Sequence, residues 1–406
     1  GGSWLMPPLA VGKIYKRFPE KAIELAERYG ASTGSQARRC GLNWVLAPVC
    51  DINSNPKNPV INMRAWGEDP VQVSVLISAF NRGISSQGVL TCAKHFPGHG
   101  DSLVDSHLEL PILSHDLKRL VEVEFLPFKA AIASGVDSVM SGHILLPKID
   151  PNYPATLSSK ILNILRNKIG FDGVLVTDAL IMNAISNTFG SGEAAVMAFA
   201  AGADVLLMPK DPDEAIQAIC EALMNGLVPI KRLEEALIRK RKVVAKIEAF
   251  DLTIGQRVDN NESHEIEFDI DRGLVKELIW NSINTHNYVA SCVDKSGINL
   301  LRVDGVLPCP FLNALSPALC LPERAGYQTI ICHKHGINPW QEDLNEPLAL
   351  DRFGEGSFFL QLFIRGNPFQ GELDHQELWP AVIRQLQRHN RLSGLVVYGS
   401  PYLWDE

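Results

Sequence analysis

The 406-residue chain is 46% hydrophobic and carries a net charge of −8, which allows a sizeable core and points to two domains. The acidic balance and the lack of a long basic run argue against nucleic acid as a partner. No apolar run reaches the roughly 18 residues of a membrane span, so no membrane partner is expected either. The eight cysteines are scattered without a Cys-x-x-Cys pair, several inside apolar runs such as Leu90-Thr91-Cys92-Ala93. That pattern predicts reduced, buried thiols and a cytoplasmic location. No secretory signal is visible, although the chain starts abruptly at Gly1-Gly2.

In chain order, residues 20–39 space Ala22, Ile23, Leu25, Ala26 and Tyr29 as a helix does. Residues 43–49 form an apolar run that reads as a buried strand. Asp69-Pro70 is a helix start, with Asp as the cap and Pro in the first turn, and the helix should run to about Asn81. A strand over 88–96 leads into Lys94-His95-Phe96-Pro97-Gly98-His99-Gly100-Asp101. The alternation then continues with a helix at 116–133, a strand at 138–144, a Ser-capped helix at 158–168 and a strand at 173–178 ending in Asp178. A helix at 193–201, a strand at 205–208 and helices at 212–224 and 230–249 complete this part.

Near-continuous apolar strands alternating with helices imply a parallel sheet covered by helices. Polar residues follow the ends of four strands: Asp51, Lys94 with His95, His143, and Asp178. Such one-sided placement is the habit of a (β/α)8 barrel, and no Gly-rich phosphate turn supports the rival doubly wound sheet. Five strands do not close an eight-stranded barrel, so an incomplete barrel lacking its first strands is expected. An acidic stretch at 259–267 reads as a linker and a helix follows near 275–284. Short apolar runs at 288–293, 298–306, 329–332, 358–364 and 395–398, with a helix at 377–389, read as a smaller α/β domain. The expected boundaries are 1–250, 251–285 and 286–406. Cys332-His333-Lys334-His335 matches no zinc spacing, so no metal is assigned there.

The chemistry centres on residues 94–111. Asp105 and His107 are two apart, so in an extended segment both side chains share a side. An Asp bonded to a His fixes its tautomer and makes it a usable proton donor. Asp178, at a strand end, would sit at a barrel mouth; the plain alternative is a cap of the next helix. Lys94 and His95 are good donors to ligand oxygens. His143, at its own strand end, is grouped with them by position. His99 and Asp101 receive no role.

Residues 94–111 resemble the catalytic loop of the β-N-acetylglucosaminidase branch of glycoside hydrolase family 3. Asn58-Pro59-Val60-Ile61 with Arg64-Ala65-Trp66-Gly67-Glu68-Asp69 is similar to that family's Arg-bearing loop. Gly170-Phe171-Asp172-Gly173 with Val176-Thr177-Asp178-Ala179-Leu180 is similar to its nucleophile segment. The resemblance implies a retaining mechanism with Asp178 as nucleophile, His107 as acid/base oriented by Asp105, and Arg64, Lys94 and His95 on sugar hydroxyls. It implies a small carbohydrate substrate, peptidoglycan fragments by analogy, and neither cofactor nor metal. Ala179 beside Asp178 favours direct attack over catalysis by the substrate's acetamide, which needs adjacent acids.

The family's Asp-Gln-Glu-Gly-Gly segment is matched only at its final glycines, by Gly1-Gly2, and Ser3-Trp4 stand where an Arg often follows. The expectation is therefore a fragment with exposed strand edges and poor stability. Rival readings are a phosphorylase or β-glucosidase on the same scaffold, a metallohydrolase using His95, His99, Asp101, Asp105 and His107, and an inactive sugar-binding fragment.

Overall fold

The computed structural model describes residues 4–254, 269–285, 296–303, 312–333, 346–364 and 379–399, together with Tyr402. The chain divides into two compact units, Gly1–Ile283 and Asn284–Glu406.

The first unit opens with α1 (Pro8–Tyr15), too short to register as a periodic pattern, and α2 (Pro19–Arg39). α3 (Pro70–Ser85) begins as Asp69-Pro70 predicts, the Asp69 carboxylate accepting the Gln72 N–H at 2.8 Å. It continues past Asn81 because Ile84 is still buried in the core. α2 and α3 meet backbone to backbone. A Cβ on Gly30 would lie 2.1 Å from the Phe80 carbonyl oxygen, and one on Gly83 2.0 Å from that of Glu27.

β1 (Cys92–Phe96), β2 (Ser138–Ser141) and β3 (Val174–Thr177) form a parallel sheet in chain order. The segments expected as strands 43–49 and 205–208 flank it through isolated parallel bridges: Trp44 with Leu90, Val49 with Lys94, and Val205 with Val176. Pro48 has no N–H with which to continue a ladder in the first of these. Its carbonyl nevertheless accepts the Lys94 N–H at 3.1 Å. The parallel neighbours thus follow one another in sequence order, whereas a doubly wound sheet reverses its order. The sheet is not closed among the described residues.

Alternation sorts the strands into two faces. Ala93, Phe96, Val139 and Leu175 pack outward with Leu76, Ile77, Phe125 and Phe128 of the helices. Cys92, Met140 and Val176 form a separate inner layer with Trp44, Leu46, Val205 and Leu207. Two residues beyond Cys92 and Val176, on that inner side, come Lys94 and Asp178.

The single helix expected at 116–133 is two, α4 (Leu117–Glu122) and α5 (Phe125–Ala133). Pro127 explains the break. Inside one continuous helix its ring would strike the carbonyl four residues back, whereas a restart at Phe125 puts it in a first turn. α6 (Ser159–Asn163) has the expected Ser158 cap and widens into a π turn, Ile164–Lys168. α7 (Asn183–Ser186), α8 (Ser191–Ala201), α9 (Pro212–Met224) and α10 (Ile230–Ile254) follow. α11 (Asp269–Ser282) packs on the first unit: Leu274 and Leu278 join its core, and Glu277 pairs with Arg28 and Lys21.

The second unit comprises β4 (Gly297–Val303), α12 (Pro317–Arg324), β5 (Tyr327–His333), β6 (Ser357–Ile364), α13 (Trp379–Arg388) and β7 (Leu392–Gly399). Its parallel sheet is ordered β5-β4-β6-β7 around Ile298, Leu300, Phe358, Leu360 and Val382. α12 carries an internal Pro322, which hides it from a periodicity reading. The run expected at 288–293, residues 304–306, the linker at 259–267, residues 334–335 and Gly1-Gly2-Ser3 lie outside the described residues. Among the described residues no helix is long and apolar enough to cross a membrane. Cys40, Cys50, Cys92, Cys220, Cys320 and Cys332 are free thiols.

The α2–α3 contact yields a test. Gly83→Ala must push the helices apart and should cost about 1–3 kcal/mol, as overpacking does. Urea unfolding reads this as a lower midpoint, and an unchanged midpoint would mean that the helices separate freely.

Candidate active site

β1 delivers Lys94 on the inner face and then bulges. Its register steps from Lys94 opposite Met140 to Phe96 opposite Ser141, leaving His95 as the extra residue. Strict alternation would send His95 to the helix-covered face, and the bulge re-aims it. Phe96 takes the outer position, stacked on Phe125 at 5.2 Å and edge-on to Phe128 at 5.3 Å between ring centroids. A Cβ on Gly142 would lie 3.1 Å from the His95 Cβ, so glycine there leaves room for the imidazole. The peptide bonds preceding Pro48, His95 and Pro97 are cis.

His95 is gripped by Asp51, a fully buried carboxylate just past the 43–49 segment. Asp51 accepts the His95 N–H at 3.2 Å, the His99 N–H at 2.7 Å and the His95 Nδ1–H at 2.7 Å. An ionised carboxylate only accepts, so Nδ1 carries the proton. Burial alone would raise the Asp51 carboxyl. The fields of His95 and His99 and these hydrogen bonds outweigh it and hold the group below its ordinary value.

His99 is buried, with its ring nitrogens 2.6 Å from Ser102 Oγ and 3.1 Å from Ser106 Oγ. Burial pushes its imidazolium down to about 4. Asn58 ties this loop to the segment that carries Arg64. Its Nδ2 donates to the His99 carbonyl at 2.8 Å, and its Oδ1 accepts the Val60 and Ile61 N–H groups. Arg64 itself donates to the Val60 carbonyl at 3.1 Å.

Asp178 follows β3. Its N–H donates to the Ser141 carbonyl at 3.0 Å, and its Oδ1 accepts the Ala179 N–H at 2.8 Å. Burial raises its carboxyl, but His95, His143, the Ala179 amide and Lys94 outweigh that and keep it low. The Lys94 ammonium is pushed down, first by burial and then by Arg64. These mutual effects bring Arg64, Lys94, His95 and Asp178 into one electrostatic cluster. His143, grouped by its sequence position with the ligand binders, is fully buried. Both its ring nitrogens are engaged within the protein, Nδ1 at 2.8 Å from Thr156 Oγ1 and Nε2 at 3.0 Å from the Ala179 carbonyl.

Asp105 and His107 do pair, but through a turn and not through an extended segment. The Leu108 and Glu109 N–H groups both donate to the Asp105 carbonyl, at 2.9 and 3.0 Å. That turn lets Asp105 Oδ1 accept the His107 N–H at 2.9 Å while lying 2.7 Å from Nδ1. The Asp105 side chain is 1% exposed and that of His107 23%, so the acid is enclosed while the imidazole reaches solvent. The fields of Asp178 and His107 both act on His143, in opposite directions.

Asp101 pairs instead with His115 at 3.1 Å. The alternative ligand set of His95, His99, Asp101, Asp105 and His107 is thus divided among separate partners. No three metal-ligating side chains converge among the described residues.

Asp51, Asn58 and Thr156 went unassigned in the sequence reading. Asp51 carried a usable signal, because it ends its apolar run as Asp178 does. Asn58 and Thr156 act on residues far along the chain and carried none.

A glycosyl hydrolase family 3 N-terminal domain model matches residues 17–243, and a bacterial glycosyl hydrolase family 3 C-terminal domain model matches residues 291–406. The chain belongs to glycoside hydrolase family 3. It is 34% identical over 340 residues to a protein named beta-hexosaminidase A from Pseudoalteromonas piscicida, covering 78% of this chain and 52% of that protein. It is 40% identical over 225 residues to a beta-hexosaminidase of Stenotrophomonas maltophilia strain K279a, covering 54% of this chain and 66% of that protein. The chain therefore spans between half and two thirds of these relatives. A family 3 beta-N-acetylglucosaminidase structure from Paenibacillus sp. FPU-7 superposes with a TM-score of 0.79 at 29% identity, covering 98% of this chain and 74% of that one.

Within this family 3 site the Asp51 charge can be tested by pH. A carboxyl held below its ordinary value of 3.8 contributes stability that is present above that value and is lost as pH falls through the lowered one. Asp51→Asn should therefore destabilise the protein at pH 7, and its deficit against the parent should shrink in acid. A deficit independent of pH in urea unfolding would show that shape, not charge, matters at this position.

Proposed function

We propose that the chain carries the working residues of a retaining β-N-acetylhexosaminidase that removes terminal N-acetyl-β-D-glucosamine, with peptidoglycan fragments as the substrate class. Family membership and the names of the relatives support the activity. The observation that supports the mechanism is an Asp178 carboxyl kept low by His95, His143 and Lys94, in a chain that also carries a partly exposed His107 backed by buried Asp105. One group suits attack on carbon and the other suits proton transfer to oxygen.

In the first step an Asp178 oxygen bonds to the anomeric carbon as the glycosidic C–O bond breaks. His107 gives its proton to the leaving oxygen. In the second step water attacks the glycosyl ester, returns a proton to His107 and frees the Asp178 carboxylate. Arg64, Lys94 and His95 hold sugar hydroxyls. The positive charge of Lys94 also favours the carboxylate form of Asp178. No step calls for a metal or cofactor.

The parallel neighbours in sequence order support a further reading, that they are part of a (β/α)8 barrel whose strand ends carry the site. Residues 1–250 would then be the catalytic domain, 251–285 a linker and helix, and 286–406 an accessory α/β domain. The free thiols fit a cytoplasmic place of action.

Asp178→Ala should lower turnover of a chromogenic N-acetyl-β-glucosaminide at least about 1,000-fold; activity near the parent's would end this reading. His107→Ala should cost about 100-fold or more on substrates with poor leaving groups and far less on activated aryl glycosides, which need little protonation. Equal losses on both would remove His107 as the proton donor. An imidazole repels phosphate less than a carboxylate does, so products should also be compared with and without phosphate. Free N-acetylglucosamine in both is expected, and a sugar 1-phosphate would make the enzyme a phosphorylase.

A further inference from the structure

Asp178 ends a short strand, and nothing in β3 alone fixes the turn that follows. Three contacts do. The Asp178 N–H is held by the Ser141 carbonyl of β2 at 3.0 Å, and the Leu180 N–H by the Leu207 carbonyl at 2.9 Å. The carbonyl of that same Ala179–Leu180 peptide lies 3.0 Å from His143 Nε2. A carbonyl can only accept, so Nε2 carries a proton.

The other ring nitrogen settles the protonation state. Nδ1 lies 2.8 Å from Thr156 Oγ1, which is 3.1 Å from both Ser141 Oγ and the Gly142 carbonyl. Thr156 has one hydroxyl proton. If it went to Gly142, Nδ1 would have to donate as well, and His143 would be a fully buried cation. Burial opposes that and pushes the imidazolium down. The consistent arrangement is a one-way relay: Ser141 O–H to Thr156, Thr156 O–H to Nδ1, and Nε2–H to the Ala179 carbonyl.

We propose that His143 is a positioning residue that clamps the Asp178–Ala179 turn through this relay, and that it does not bind sugar. The inference rests on reading Asp178 as the nucleophile. With the turn clamped, the Ala179 N–H stays on Asp178 Oδ1 at 2.8 Å and the other oxygen is left to face the anomeric carbon. A displacement of about 1 Å at such a group can cost on the order of 100-fold in rate. The same relay explains how a histidine at a strand end can be wholly enclosed in a site otherwise built to meet ligand.

The test compares His143→Ala, His143→Gln and Thr156→Val in the intact enzyme. His143→Ala should lower kcat about 100-fold with KM within about twofold. His143→Gln, whose amide can donate to the Ala179 carbonyl, should recover at least about tenfold of that loss. Thr156→Val, near in shape but without the relay proton, should lower kcat about tenfold at unchanged KM. A raised KM with kcat retained in the His143 variants would make His143 a sugar ligand and overturn the proposal. If His143→Ala does not fold, the other two variants decide by the same split.

Covalent trapping with an activated fluoro-sugar separates this idea from the reading beneath it. A label on a residue other than Asp178 in the parent would sink the nucleophile assignment. A label on Asp178 that forms at the parental rate in His143→Gln and Thr156→Val would sink the clamp alone.

Discussion

The site depends on one buried carboxylate. Taking the Asp51 charge out of water costs several kcal/mol unless its lone pairs are met. They are met by three N–H groups, two from the backbone of the glycine-rich loop and one from the His95 ring. The desolvation cost therefore acts as a constraint on the loop. Any conformation that moves the His95 or His99 amide away leaves a buried charge short of donors. Through the His99 carbonyl and Asn58, the same constraint extends to the loop bearing Arg64. Side chains from separate parts of the sequence are held in register by a group that need not touch ligand.

The two ends of the sheet use acids in opposite ways. At the strand starts, Asp137 accepts the Thr91 N–H and pairs with Lys246, while Asp204 accepts the Leu175 N–H and pairs with Arg166, Arg232 and Arg239. Those cations come largely from α10, so the acids fasten a long helix to the strand starts. At the strand ends, the partners of Asp51 and Asp178 are imidazoles and amides. Guanidinium partners neutralise a carboxylate permanently. Imidazoles orient it through hydrogen bonds and add no permanent charge of their own. The difference between a fastening acid and a working acid lies in the partner, and the partner is remote in sequence.

That remoteness bounds what could be read beforehand. Apolar runs and cap signals gave β1, β2 and β3, the Asp69 and Ser158 caps, and the parallel arrangement, because each is encoded within a few residues. Asp178 and the Asp105–His107 pair were legible for the same reason: a strand end and a two-residue spacing are local. The break at Val123–Glu124 was also local, and Pro127 should have revealed it. Two proline-limited bridges in place of a full strand at 43–49 followed from Pro48. The roles of Asn58 and Thr156 were hidden, since the bonds of Asn58 to His99 and of Thr156 to His143 join separate segments, while Asp51 showed only that it ends an apolar run. The surroundings of His143 were hidden too, because its position says where the backbone goes, whereas its ring partners are Thr156 and Ala179.

On the proposed mechanism, an imidazole for proton transfer fits the same crowding of charge. Asp51 and Asp178 are both held as carboxylates near His95. A carboxylic acid as the proton donor would bring a third negative charge toward them once its proton had left, and like charges at close range resist ionisation. His107 as donor would avoid this: it is neutral after giving its proton, and its counter-charge Asp105 is enclosed. The cost is a geometric demand on Asp105, which must accept both the His107 N–H and its Nδ1–H while starting the turn between them. A longer Glu could reach the ring but would not also cap the backbone two residues on. On the proposed mechanism the turn is therefore part of the proton-transfer apparatus and not merely its support.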